Sequence, residues 1–207
     1  MSLRLSRQEF RAWSAAQPNG RFERSGGEVV AMAPERWAHA RLKARIWRAL
    51  DREITSRALP CQAAPDGLTV EINDDTDHEP DALVNCGPAL ADDSMVAPNP
   101  VVIVEVPSPG TAGVDTGEKL ADYFRVSSVR HYLIVRLTRR EIIHHARMDD
   151  RIDTRIVRDG AIRLDPPGIS LAVDEVYGAR PPWPFPPFGT GANLRPTGRR
   201  GNEACAR

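Results

Sequence analysis

The longest regular spacing of apolar residues lies in residues 35–57, a stretch without Gly or Pro. Leu42, Ile46, Leu50 and Ile54 recur there every four positions, with Trp47 alongside. The spacing predicts a long amphipathic helix whose other face is Arg-rich, and Pro34 suits its first position. Ahead of it, residues 22–32 read as a short hairpin turning at Gly26-Gly27. Residues 101–106, VVIVEV, are apolar on both faces except for Glu105, which is the pattern of a central strand covered on both sides. Two shorter strands are predicted over 68–72 and 81–84, separated by an acidic, turn-rich run. The turn Pro107-Ser108-Pro109-Gly110 is followed by a predicted helix over 116–126. Asp115 stands at its N-cap position, Glu118 three residues on resembles a capping box, and Leu120, Tyr123 and Phe124 form its packing face. Strands are expected over 130–136 and 141–147, a hairpin of 151–158 with 161–164 turning at Asp159-Gly160, and a closing strand over 169–176. Beyond Tyr177 the Pro- and Gly-rich sequence predicts a disordered tail. The pattern is that of one mixed α/β domain over residues 1–178, with a tail over 179–207.

Composition narrows the class. The chain has 207 residues, 41% apolar and 27% charged, as expected of a globular protein with one core. No apolar run has the length of a membrane span, and the N-terminus lacks the apolar core of a signal peptide. A cytoplasmic protein is the expectation. Cys61, Cys86 and Cys205 are too few and scattered for a disulfide framework, so free thiols are expected. The net charge of zero conceals an uneven distribution: +6 over residues 1–60, −11 over 61–127 and +5 over 128–207. An acidic middle between basic flanks fits a carboxylate-rich metal site beside a surface for a polyanion. Overall neutrality argues against strong nonspecific nucleic-acid binding.

Glu105 carries the chemical argument. An ionised carboxylate near the end of so apolar a strand needs a cation, a proton or a hydrogen-bond partner; an Arg partner or a solvent-exposed strand tip would also satisfy it. Asp81 opens the preceding strand. Were the two strands neighbours, both carboxylates would converge at one sheet edge and favour a divalent cation between them. Oxygen donors suit Mg²⁺ or Mn²⁺. Lys119, one of only two lysines in the chain, falls in the next helix, one turn before Tyr123. A lysine there would stabilise charge on a phosphate or orient a water, unless it is an ordinary surface lysine. His39 and Lys43 share a helix face that could point to a cleft or to solvent. His144-His145 are neighbours in a strand and point to opposite faces, so they cannot grip one ion.

The series Pro80-Asp81, Glu105-Val-Pro-Ser108-Pro109, Asp115 through Lys119 to Tyr123, and Tyr132, with Glu23, Gly27-Glu28, Met32, Pro34 and His39 upstream, resembles the Uma2 family over roughly residues 22–177. That family is described as restriction endonucleases and belongs to the PD-(D/E)xK nuclease superfamily. The resemblance implies a restriction-endonuclease-like core, a mixed central sheet flanked by helices. It makes Asp81 and Glu105 metal ligands, with the backbone carbonyl of Val106 as a further one. Pro107 stands where the superfamily places its lysine, and Lys119 on the following helix takes that place. Asp115 and Tyr123 match the family pattern, although a cap and a packing residue explain them equally well. Glu28 is a candidate extra carboxylate, or a charge at the hairpin edge. The chain departs from the family pattern at His131 and Arg136.

The function these readings imply is metal-dependent phosphodiester hydrolysis by an endonuclease, with Mg²⁺ or Mn²⁺ as cofactor, nucleic acid (DNA above RNA) as substrate, no membrane partner and a plausible homodimer. Two alternatives remain open: a nuclease-fold module that binds nucleic acid or protein without cutting, and a hydrolase of small phosphates.

Overall fold

The computed structural model describes residues 3–32, 34–107 and 115–179. The side chains of Asp115 and Thr116, and the predicted tail from residue 180 on, lie outside that description.

Helix α1 (Arg7–Ala15) opens the fold and carries no long apolar pattern. It is held by its start: Ser6 and Glu9 form a reciprocal capping box, which satisfies two backbone donors at the helix N-terminus. Strands β1 (Phe22–Ser25) and β2 (Glu28–Ala31) make the expected hairpin. Its turn requires positive φ at both central residues, and Gly26 (56°) and Gly27 (79°) supply it. Helix α2 (Trp37–Ser56) buries Leu42, Ile46, Ala49, Leu50 and Ile54 along one stripe. It begins at Trp37, after an extended Arg36 cap, so Pro34 stands before the helix and not at its first position.

The chain then passes through β3 (Cys61–Pro65), β4 (Val70–Glu71), β5 (Asp77–His78), β6 (Ala82–Cys86) and β7 (Pro100–Glu105). Helix α3 (Asp115–Tyr123), β8 (His131–Val135), β9 (Ile142–Arg147), β10 (Ile152–Val157), β11 (Ala161–Leu164), β12 (Ile169–Ala172) and α4 (Val173–Tyr177) follow. The central sheet has the order β10-β9-β8-β7-β6-β3. It is mixed: β7 and β8 are parallel, and the other pairs are antiparallel. A parallel pair needs a crossover, and α3 lies in that connection.

Strand alternation divides the core into two layers. Val102, Val104, Leu133 and Val135 face α2, whereas Ile103, Tyr132 and Ile134 face the layer that holds Tyr123 and Val129. Burying both faces is what the continuous apolar run of β7 demands.

Three expectations need correction. The strand over 151–158 does not pair with 161–164: β10 pairs with β9, and β11 with β12. The closing strand expected over 169–176 ends at Ala172, where α4 begins, and within the turn-rich run 73–80 lies β5, which joins the N-terminal hairpin in a second sheet of order β2-β1-β5-β4. Cys61 and Cys86 are not free thiols but a disulfide. Although 25 positions apart in the chain, they stand opposite each other on β3 and β6. No helix among the described residues is long and apolar enough to cross a membrane.

The small sheet is fastened by a buried ion pair. Arg24, 1% exposed, donates from Nε to Asp77 Oδ2 at 2.8 Å and from Nη2 to the Asp74 carbonyl at 3.0 Å. Arg7 donates to the other Asp77 oxygen at 2.8 Å. Such a pair is tolerable because both carboxylate oxygens are satisfied. Its consequence for the site is that β1 and β5 lie side by side, which sets Glu23 beside His78 and Glu79.

Candidate active site

The site forms where β6 and β7 end. Their antiparallel register pairs Ala82 with Val104, and one further step sets Asp81 opposite Glu105. Asp81 is held by the chain it opposes, since its Oδ2 accepts from the Val106 N–H at 2.7 Å. Helix α2 contributes from the other side. His39 Nε2 bonds the Val106 carbonyl and lies 3.6 Å from Asp81 Oδ2, while its Nδ1 lies 3.0 Å from Glu35. One turn on, Lys43 Nζ lies 3.4 Å from Asp81 Oδ1 and pairs with Asp66 and Glu35. Burial alone would raise the Asp81 carboxyl, but His39, the Val106 N–H and Lys43 outweigh it and hold Asp81 below its usual range. Asp81 in turn raises the His39 pKa against the cost of burial.

Glu105 is approached from α3. Its Oε1 accepts from the Tyr123 hydroxyl at 2.6 Å and from Lys119 Nζ at 3.1 Å. The two donors lie one helical turn apart and therefore face the same way. Lys119 also donates to Glu23 Oε1 at 2.9 Å, and that oxygen is fixed by the Glu79 N–H at 2.8 Å. Burial, together with the charges of Asp81 and Glu23, pushes the Glu105 carboxyl up to about 7 despite the opposing pull of Lys119 and Tyr123. Burial and the neighbouring carboxylates likewise hold the Tyr123 phenol protonated. The two carboxyls thus differ in kind: Asp81 stays ionised, whereas Glu105 sits near the edge of protonation at neutral pH.

Behind Glu23 lies a second layer. His78 Nε2 is 2.9 Å from Asp122 Oδ2, its Nδ1 is 4.0 Å from Glu23 Oε2, and its ring meets Tyr123 edge-on at 5.4 Å.

Of the residues singled out from the sequence, Asp81, Glu105, Val106, Lys119, Tyr123 and His39 come together here. Glu28 does not; it pairs with Arg4 on the outer strand at 3.0 Å. The hairpin's contribution is Glu23, on the strand that lies against β5. Asp115 opens α3, with its side chain outside the described residues, as are Ser108–Thr111. Glu23 was legible only as part of the family resemblance, Lys43 only through its shared helix face with His39, and His78 and Asp122 carried no signal of a site role. A histidine and a glutamate directly ahead of Pro80-Asp81 are the one local hint. His144 and His145 do point apart, to His131 and to Thr154.

The donor set fits a hard divalent cation in kind: two carboxylates and a carbonyl, with one imidazole adjacent. The raised Glu105 marks a local shortage of positive charge that such an ion would make good. Among the described residues, no three His, Cys, Asp or Glu side chains are gathered as a ready cage for an ion; Glu105 faces Lys119 and Tyr123, and Asp81 faces His39 and Lys43.

Comparison with known proteins shows the family and the fold. The model of the Uma2 family, described as "Putative restriction endonuclease", matches residues 7–174. An uncharacterized protein of Synechocystis, slr1290, is 26% identical over 177 residues, 84% of this chain and 92% of that protein. The crystal structure of "a putative nuclease belonging to DUF820" from Anabaena variabilis superposes with a TM-score of 0.66 at 11% identity. The match covers 84% of this chain and 97% of that one and shows a shared fold. With the family model matched over residues 7–174, most of its length, the chain belongs to the Uma2 family.

Proposed function

We propose that the protein is a metal-dependent endonuclease that hydrolyses phosphodiester bonds in nucleic acid, with DNA as the expected substrate. The observation that carries the reading is the opposition of an ionised Asp81 and a raised Glu105 at two strand ends, with Lys119 bonded to Glu105. Asp81, Glu105 and the Val106 carbonyl would hold Mg²⁺ or Mn²⁺, with His39 at the rim. Such an ion would supply Lewis-acid activation of water and charge neutralisation at the scissile phosphate.

The protein's own groups do the rest. The Val106 N–H fixes the orientation of Asp81. Tyr123, which keeps its proton, orients Glu105. Lys119 is held between Glu23 and Glu105, beside the place where phosphate charge develops, and such fixed cations act strongly in a site that excludes water. Glu23 is a positioning residue for that lysine.

A second reading has an observation of its own. The Lys119–Glu105 ion pair already neutralises the site in part, as it would in a module that binds nucleic acid or protein without cutting. One experiment separates the two. Supercoiled plasmid, linear single-stranded DNA and RNA are incubated with Mg²⁺ or Mn²⁺, and with EDTA, for the wild type and folded Glu105→Gln and Lys119→Met variants. Cleavage that needs the metal and is lost in both variants supports the nuclease. A folded wild type that cuts nothing in either metal supports the binding module.

A further inference from the structure

The central sheet ends on β10, which among the described residues pairs with β9 alone. The outer edge of such a strand presents backbone donors and acceptors to any strand that can lie beside it, and proteins normally guard it with charged side chains, proline, a bulge or a covering segment. Among the described residues this edge has neither proline nor bulge, and its two charges, Asp153 and Arg155, are of opposite sign. β10 is six residues long, contains no proline, and keeps an unbroken register with β9 from Ile152 to Val157. Two large apolar side chains on it are open to solvent: Ile152 is 41% exposed and Ile156 54%. The opposite edge strand, β3, is shorter, ends in Pro65 and is tied to its neighbour by the disulfide.

The order of residues along β10 identifies what fits it. Read outward from Thr154, the strand Ile152-Asp153-Thr154-Arg155-Ile156 is complementary to itself in the antiparallel sense. A two-fold axis at Thr154 places Ile152 opposite Ile156 of the second copy, Asp153 opposite Arg155, and Thr154 opposite its own counterpart. Alternation puts Ile152, Thr154 and Ile156 on one face and Asp153 and Arg155 on the other. One face thus closes two exposed Ile–Ile pairs, and the other forms two Asp–Arg pairs. Directly opposed side chains of both kinds stabilise a strand pair.

Neighbouring registers lack this match. An axis at Asp153 sets Asp against Asp and Arg151 against Arg155, and an axis at Arg155 sets Arg against Arg. Like charges directly opposite are destabilising. Among the described residues Asp153 pairs at the surface with Arg151 at 3.0 Å, a pair of the weak, solvent-screened kind.

We propose that β10 is a homodimerisation strand: two copies of this chain pair their β10 edges antiparallel about Thr154 and join their central sheets into one. The interface is isologous, as a two-fold requires. It lies on the strand at the far end of the sheet order from β6 and β7, whose ends carry the candidate site, and it holds whatever chemistry that site performs.

The test is the mass of the full chain by sedimentation velocity over a concentration series. The wild type is expected to dimerise. Asp153→Arg and Arg155→Asp, each of which sets like charges opposite one another, are expected to be monomers at concentrations where the wild type is a dimer. The double exchange Asp153→Arg with Arg155→Asp restores the opposite-charge pairs and the dimer. Circular dichroism establishes that each variant is folded. A wild type that stays monomeric throughout, a dimer unaffected by both single reversals, or a double exchange that stays monomeric overturns the proposal. A position-specific measurement accompanies it. In a Cys205→Ser background, Thr154→Cys is expected to cross-link copies on oxidation, because that residue faces itself across the axis. Ile152→Cys, which faces residue 156, is not. Cross-linking at 152 without cross-linking at 154 would place the axis elsewhere and overturn the register.

Discussion

Replacing Glu105 by Gln should stabilise the metal-free protein while removing its proposed activity. A carboxyl whose pKa rises from 4.5 to about 7 on folding binds its proton more tightly in the native state. The associated stability is therefore fully present below pH 4.5 and is lost as the pH rises through 7. Each tenfold gain in proton affinity corresponds to about 1.4 kcal/mol, so above pH 7 the ionised Glu105 costs roughly 3 kcal/mol. Gln stands in for the protonated form. Its amide oxygen still meets the Tyr123 hydroxyl and Lys119, and Lys119 keeps Glu23 as its counter-ion. In EDTA at pH 8 the variant should therefore be more stable by roughly 3 kcal/mol, a rise of about 6–12 °C in Tm for a chain of this size. At pH 5 the gap should shrink below about 1 kcal/mol, because both proteins are then nearly neutral at this position. Urea denaturation in EDTA at the two pH values measures it. A variant no more stable than the wild type at pH 8 would refute the reasoning: burial and the charges of Asp81 and Glu23 would not be straining Glu105.

Three further outcomes follow from the same structure. Arg24→Met leaves Asp77 buried with Arg7 as its remaining cation, and a broken buried pair costs about 3–5 kcal/mol; a loss under about 1 kcal/mol in chemical denaturation would show that the pair does not hold β1 to β5. Cys61→Ser with Cys86→Ser removes a cross-link that closes a loop of 25 positions, worth about 3 kcal/mol by the chain-entropy relation; titration of the unfolded, unreduced wild type should find one free thiol, Cys205, and finding three would contradict the pairing. Burial and its charged neighbours depress His144 from 6.5 to about 4, so stability should fall as the pH drops through that window, by about 3 kcal/mol at pH 4. His144→Gln should flatten this acid limb relative to the wild type, and parallel pH profiles for the two proteins would count against a buried neutral histidine.

Part of this protein is legible in its sequence, because part of its structure is local. The four-residue spacing of Leu42, Ile46, Leu50 and Ile54 specifies the buried face of α2, the double glycine specifies the β1–β2 turn, and the run 101–106 can only be a strand covered on both sides. A carboxylate at the end of that run announces a site, since no apolar layer accommodates it without a partner. The spacing of Lys119 and Tyr123 places both on one helix face before any tertiary contact is known.

What the sequence leaves open are pairings between distant segments, which leave no periodic trace. The β6–β7 register, and with it the opposition of Asp81 to Glu105, is decided by packing across the sheet. The choice of Glu23 over Glu28 depends on which hairpin strand lies against β5, and the Lys119–Glu23 contact spans 96 positions. His78 sits in a strand of two residues, too short for any pattern to register. Cys61 and Cys86 meet only because β3 returns beside β6. The misassigned partner of β10 has the same origin: a turn signal marks where a chain reverses, but the competition for buried area decides which strand it reverses onto, and that competition is settled by the whole fold.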